Sequence, residues 1–379
     1  MKTRISFTKL KTYFILIPFI YPRGFSEYFP IYKRIMTIWL YASLFAIILD
    51  FVKKTKINIK KADAFCGLLL YFITMLLETL AIKGKIDEGL QKLFAVPVLC
   101  IYFMVNLPII KNTIIMVISN ILLINNVLNT TFFSPFMLRN MFGSQYIENI
   151  MFIGHVQTCA QIGILTIMVS YVMYRIEHYK KSFWLSIFAI ATMLFSRAEA
   201  SYLVILIFSA SYIFYKRKVY FLSNFSLDTI FFVGTLLQTI ILPIVVYNRL
   251  DFGARYYVYI DVFKKMENHY LCGYGVYGVL IHTFWMDLTG SIGMNYAHNQ
   301  VLQILMDGGI ILFICYCLMC FLSFKNCKKA DRYTRFWLNC SLVAFLVDGI
   351  CESITEYNYF FIFLMLQLYV PEIIRKGDK

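Results

Sequence analysis

Long apolar runs alternate with short polar or basic breaks along almost the whole chain. Twelve runs stand out, at about 7–22, 32–52, 62–82, 93–110, 112–131, 151–173, 183–195, 199–215, 228–247, 298–324, 336–352 and 357–373. Most approach the roughly 20 apolar residues that carry a helix across a bilayer. The pattern predicts an all-α polytopic membrane protein of about 12 transmembrane helices, folded as a single integral membrane domain over 1–379. The first run carries Lys9 and Lys11 and is interrupted by Pro18 and Pro22. The seventh is short, and with the eighth it reads as a broken or tilted pair. A basic N-terminus precedes the first run without a small-residue cleavage site, so no cleavable signal peptide is expected.

Composition supports that class: the chain is 60% hydrophobic and 15% charged, against about half and about a quarter in ordinary soluble domains. The net charge of +15 is spread in clusters that punctuate the apolar runs. That is the positive-inside pattern, and it argues against a nucleic-acid partner. With the N-terminus inside, 24 of the 36 Lys and Arg residues fall in cytoplasmic segments. They include Lys53 to Lys61, Lys216 to Lys218 and Lys325 to Arg335. Both termini are then cytoplasmic. The ten cysteines lie mostly in or beside apolar runs, without the spacing of a zinc site.

The same topology places the interval 248–297 outside as the main extracytoplasmic loop. It is formally neutral and rich in aromatics, among them Tyr256, Tyr257, Tyr259, Tyr274, Trp285 and Tyr296. Aromatic faces beside polar groups suit sugar rings, and they equally suit an interfacial belt. A second external interval, about 132–150, carries Arg139, Gln145 and Glu148. His269 and His282 have no partners at metal-ligand spacing and read as loop residues.

The most informative stretch is Tyr296 to Gly309, where the long loop enters a hydrophobic helix. His298, Leu302 and Leu305 fall near one helical stripe, and Asn299, Gln303 and Asp307 near another. Polar groups at a membrane boundary are costly unless paired or functional. An N-terminal cap formed by His298 or Asn299 explains one such residue but not four. Ser196-Arg197-Ala198-Glu199 interrupts two apolar runs at the outer boundary. Arg197 there is either a bidentate phosphate ligand or an interfacial anchor paired with Glu199. Arg255 and Arg249 compete for a similar role in the loop. Gly273-Tyr274-Gly275 is a tight turn; it neither follows a strand nor opens a helix, which excludes a dinucleotide fingerprint. Asp348 and Glu352 share a helical face near Glu356, with Arg197 or Arg255 as possible partners.

His298-Asn299, Leu302-Gln303, Leu305 and Asp307-Gly308-Gly309, in this spacing, resemble the signature of the O-antigen polymerase and O-antigen ligase superfamily. The order Ser196-Arg197, Arg255, Gly-x-Gly, His298 is similar as well. Tyr256 replaces the tryptophan usual after the arginine, and Glu199 departs from a small or polar residue. The front half resembles the family in hydropathy only. The resemblance implies a metal-independent membrane glycosyltransferase of the GT-C type, needing no cofactor. His298 would be the catalytic residue, and Arg197 and Arg255 would bind pyrophosphate. Asn299, Gln303, Tyr256, Gly273 and Gly275 would support them. It further implies a Wzy-type polymerase joining undecaprenyl-pyrophosphate-linked repeat units into O-antigen, capsule or exopolysaccharide. The site would face outwards from the bacterial cytoplasmic membrane, with a flippase and a chain-length regulator as possible partners. A ligase moving finished glycan to lipid A core or protein carries the same signature. A transporter or flippase would instead show paired mid-membrane charges and repeat symmetry.

Overall fold

A computed structural model describes residues 6–53, 61–82, 84–131, 138–141, 146–247, 254–283, 293–325, 327 and 330–374. Arg249, Gln145 and Trp285 lie outside the described residues.

The apolar runs form helices: α1 Phe7–Leu16, α2 Pro30–Lys53, α3 Ala62–Ala81, α4 Val96–Thr131, α5 Thr158–Arg175, α6 Tyr179–Ser196, α7 Glu199–Lys216, α8 Leu227–Tyr247, α9 Ala254–Met266, α10 Gln300–Lys325, α11 Arg332–Cys351 and α12 Asn358–Ile374. A two-stranded hairpin, Leu138–Met141 against Tyr146–Asn149, is the departure from all-α among the described residues. Among the described residues, five segments are long and apolar enough to cross a membrane: Pro30–Lys53, Ala62–Ala81, Gln91–Thr131, Gln300–Lys325 and Arg332–Cys351. The multi-pass membrane character expected from the sequence rests on these.

Helix starts follow local chemistry. Pro30 opens α2, where its missing N–H is no loss. Asp331 caps α11 by accepting from the Tyr333 and Thr334 amides at 3.0 and 3.1 Å.

The runs 93–110 and 112–131 join in α4, which breaks at Ile110 (φ −119°, ψ 32°). The cause lies two residues earlier. Pro108 has no N–H, so the Met104 carbonyl loses its helical donor. The Tyr369 hydroxyl of α12 donates to that carbonyl instead, at 3.2 Å. The chain then turns back. Lys111 reaches the Glu372 carbonyl near the end of α12. Asn125 already lies beside Ile20, donating to its carbonyl at 2.6 Å. The neighbouring Phe19 carbonyl accepts from Asn358, at the start of α12, at 2.8 Å.

α5 and α12 are buried on nearly every side and form the centre of the bundle. A helix apolar all round must be enclosed. α2 lies at the periphery, with many exposed apolar side chains. One end of the bundle gathers Lys61–Glu372 and Arg175–Asp331 pairs. The opposite end holds the residues singled out at the head of α10.

Candidate functional site

Three elements converge on Glu352, the residue that ends α11. Its Oε1 accepts from Arg255 Nη2 at 3.2 Å and faces His298 Nδ1 at 3.4 Å. Its Oε2 accepts from the Tyr296 hydroxyl at 2.7 Å. The carboxylate is 3% exposed, Arg255 21% and His298 23%. The cluster is therefore anchored from within and open at its basic side. Burial alone would raise the Glu352 carboxyl; His298, Tyr296 and Arg255 overcome it and hold the group below the usual carboxylate range.

His298 sits in the left-handed region, at φ +49°. Histidine is costly there, and the surroundings impose it. The Tyr259 hydroxyl lies 3.1 Å from the His298 carbonyl and 3.0 Å from that of Ile350, to both of which it can donate. Tyr296 meets the His298 ring edge to face at 4.5 Å. Asn299 is the cap of α10: its Oδ1 accepts from the Leu302 amide at 3.0 Å. Its Nδ2 donates to the Ile350 carbonyl, also at 3.0 Å. The capping role and the tie to α11 thus reside in one side chain. Gln303 is fully buried and bridges backward and forward, accepting from the Ala297 amide at 2.8 Å and donating to Asp307 at 3.1 Å.

The described part of the loop before His298 is more than a connector. α9 carries Val258, Tyr259, Val262 and Met266 on one stripe, packed with Leu242, Ala297, Val301, Leu302 and Met306. That stripe was the signal in the sequence, hidden among the aromatics. It leaves Arg255 one turn before Tyr259, on the side of Glu352. Tyr256 is half-buried and meets Tyr257 edge to face.

Gly273 and Gly275 serve a different contact. α10 breaks at Gly308 (φ −153°) and Gly309 (φ +61°). The loop fills the break. The Tyr274 amide donates to the Met306 carbonyl at 2.8 Å, and Ile310 and Ile311 donate to the carbonyls of Tyr270 and Leu271. Gly273 has φ +61°, and a Cβ there would lie 2.6 Å from the Met306 carbonyl oxygen. A Cβ on Gly275 would press on Thr79 and Gly84. The turn docks the loop on the broken helix rather than lining the Glu352 cluster.

Arg197 ends α6 in the left-handed conformation (φ 56°, ψ 13°). Its side chain is exposed, without an ion pair or hydrogen bond among the described residues. It lies at the same end of the bundle, where Glu199 opens α7 and acts electrostatically on Cys351. Of the three acids noted in sequence, Glu352 joins Arg255 and His298. Asp348 is buried one turn earlier, beside Gln161. Glu356 turns to Tyr277.

His155 is the residue that sequence reasoning missed. The apolar pattern placed it inside a span, but α5 begins only at Thr158, leaving His155 half-buried near Glu352, His298 and Arg255. Burial pushes it down to about 4, against the pull of Glu352.

Residues 150–317 match the family model Wzy_C, described as O-antigen ligase. Over that segment, somewhat less than half of its length, the chain is similar to the O-antigen ligase family. No curated protein matches the chain. Within the matched segment lie His155, Arg197, Arg255, both loop glycines and His298. Glu352, which binds two of these together, lies past its end.

Proposed function

We propose that this chain is a Wzy-type polymerase, joining undecaprenyl-pyrophosphate-linked repeat units at the outer face of the bacterial cytoplasmic membrane. The observation that carries this reading is the convergence of His298 and Arg255 on the buried carboxylate of Glu352. The similarity of residues 150–317 to the O-antigen ligase family supports the substrate class.

The acceptor hydroxyl attacks the anomeric carbon of the donor sugar. The bond from that carbon to the pyrophosphate oxygen breaks, and undecaprenyl pyrophosphate leaves with the electron pair. The hydroxyl proton passes to His298. With Nδ1 facing Glu352, the imidazole is held with Nε2 free to accept, and the carboxylate stabilises the imidazolium that forms. Arg197, the exposed cation, and Arg255 receive the charge developing on pyrophosphate. They take the part a metal would otherwise play, so the reaction is metal-independent in this reading.

The bundle geometry fits a GT-C-type fold with about 12 crossings, since the reversal at Ile110 turns α4 into two. Basic pairs gather at the end opposite Glu352, which supports cytoplasmic termini and an external site. An apolar groove of about 390 Å³ runs between α8 and α11, past Leu222, Val233, Leu237 and Leu346 to Ile350. The Ile350 carbonyl is held by Tyr259 and Asn299, so the groove ends beside the cluster. It suits the first isoprene units of the lipid carrier. A flippase and a chain-length regulator would supply and measure the chain.

The description of the matched family favours a second reading, a ligase that transfers finished glycan to lipid A core or protein. Loss of the protein separates them. A polymerase-null cell accumulates single lipid-linked repeat units, whereas a ligase-null cell accumulates long lipid-linked polymer.

A further inference from the structure

Lys92 stands in a π-helical turn before α4, Gln91–Ala95, with its side chain 5% exposed. Its ammonium bridges Asp307 of α10 and Glu356, in the short turn Ile354–Glu356 between α11 and α12. The outer oxygens of both acids are also satisfied. Gln303 donates to Asp307 Oδ1 at 3.1 Å, and the Tyr277 hydroxyl donates to Glu356 Oε2 at 2.8 Å. The Tyr277 ring lies 5.8 Å from the ammonium. One cation thus holds two buried carboxylates that would otherwise repel. Such groups persist inside a membrane protein only when paired.

The two acids belong to the segments that build the candidate site. Asp307 shares α10 with the cap that follows His298. Glu356 closes the turn that follows Glu352. Between them the segments are laced: the Thr355 amide donates to Gln300 Oε1 at 3.0 Å, and Ser353 Oγ donates to the Asn299 carbonyl at 3.2 Å. Lys92 fastens the far end of this lacing and ties it to a third element. Without its charge, Asp307 and Glu356 would push the 352–356 segment away from α10. That is the direction that parts Glu352 from His298.

We propose that Lys92 is a positioning residue for glycosyl transfer: by bridging Asp307 and Glu356 it keeps Glu352 in register with His298 and Arg255. The proposal rests on the transferase reading above. A displacement of about 1 Å at a reacting group can cost about 100-fold in rate, so the effect should fall on kcat.

The test uses the full chain in lipid nanodiscs. The substrate is lipid-linked repeat unit extracted from host cells lacking this chain. Glu356→Gln keeps the side-chain shape and the fold while removing one of the two charges Lys92 bridges; Lys92→Met removes the bridge itself. Expected for Glu356→Gln is a fall in kcat of about tenfold or more per folded molecule. KM and the affinity for undecaprenyl pyrophosphate alone should stay within about twofold of wild type. Lys92→Met should lose more, in both kcat and folded yield. Wild-type kcat per folded Glu356→Gln molecule overturns the proposal, as does a loss in either variant explained wholly by less folded protein. His298→Ala measured alongside separates the two claims. If it is inactive while Glu356→Gln is fully active, only the role of Lys92 fails. If His298→Ala is fully active, the transferase mechanism itself fails, and the role of Lys92 with it.

Discussion

His298 Nδ1 stands 3.4 Å from Glu352 Oε1, across 54 residues of sequence. The pair joins the head of α10 to the end of α11, and in the transferase reading proposed above it leaves Nε2 for chemistry.

His298→Asn discriminates between a general base and a histidine that only holds the head of α10 in place. Asn tolerates the left-handed backbone that His298 adopts, so the fold should survive. A positioned general base contributes roughly 10²–10⁴-fold in rate. We expect His298→Asn and His298→Ala both to accumulate single lipid-linked repeat units, at normal membrane abundance. Long polymer from His298→Asn would show that no base is needed at this position.

Glu352→Gln should lower transfer while leaving the groove intact, and its effect on stability should depend on pH. The folded carboxyl is held low by His298, Tyr296 and Arg255 against burial, whereas an unfolded glutamate titrates near about 4.3. The stabilisation is therefore fully present above about 4.3 and is lost as pH falls through the lower folded value. Thermal melts of wild type and Glu352→Gln in detergent should differ at pH 7, and the difference should shrink progressively as pH falls below about 4.3. A constant difference across that range would rule the carboxylate out as its source.

Arg197→Lys keeps the charge but loses the planar fork. Hydrogen bonds to charged groups contribute about 1.5–3 kcal/mol, which corresponds to roughly ten- to hundredfold weaker capture of pyrophosphate. Binding of undecaprenyl pyrophosphate to purified protein measures this directly. Full-length polymer from Arg197→Ala would reduce Arg197 to an interfacial anchor.

Cys272 is exposed in the loop that docks on α10 and is a built-in reporter of sidedness. A membrane-impermeant maleimide should label it from outside, with Cys272→Ala as the control. A cysteine placed at Arg332 should label only after lysis. Labelling of Cys272 solely from the cytoplasmic side would remove the lipid-linked donor from reach of His298.

Much of this arrangement was legible because it is local. Apolar run length gave the helices, and Asn299 could be recognised as a cap from its place before a hydrophobic stretch. The division between the runs 93–110 and 112–131 anticipated the reversal in α4, although the hydroxyl that replaces the donor lost at Pro108, on Tyr369, comes from a distant helix. What stayed hidden depends on tertiary pairing. Nothing in the spacing of Glu352 selects Arg255 over Arg197. His155 was masked because half-burial beside other charges leaves no periodic trace. The helix α9 was obscured by an aromatic density that suits a belt as well as a stripe.

The break at Gly308–Gly309 bears on what kind of membrane protein this is. Each half of an interrupted helix has its own dipole, and transporters leave such half-helix ends open so that substrates and ions can occupy them. Here the amides that open the second half, from Ile310 and Ile311, are already spent on the carbonyls of Tyr270 and Leu271. At these two amides the interruption is filled by the chain itself, so its electrostatics secure a loop where a transporter would hold its cargo.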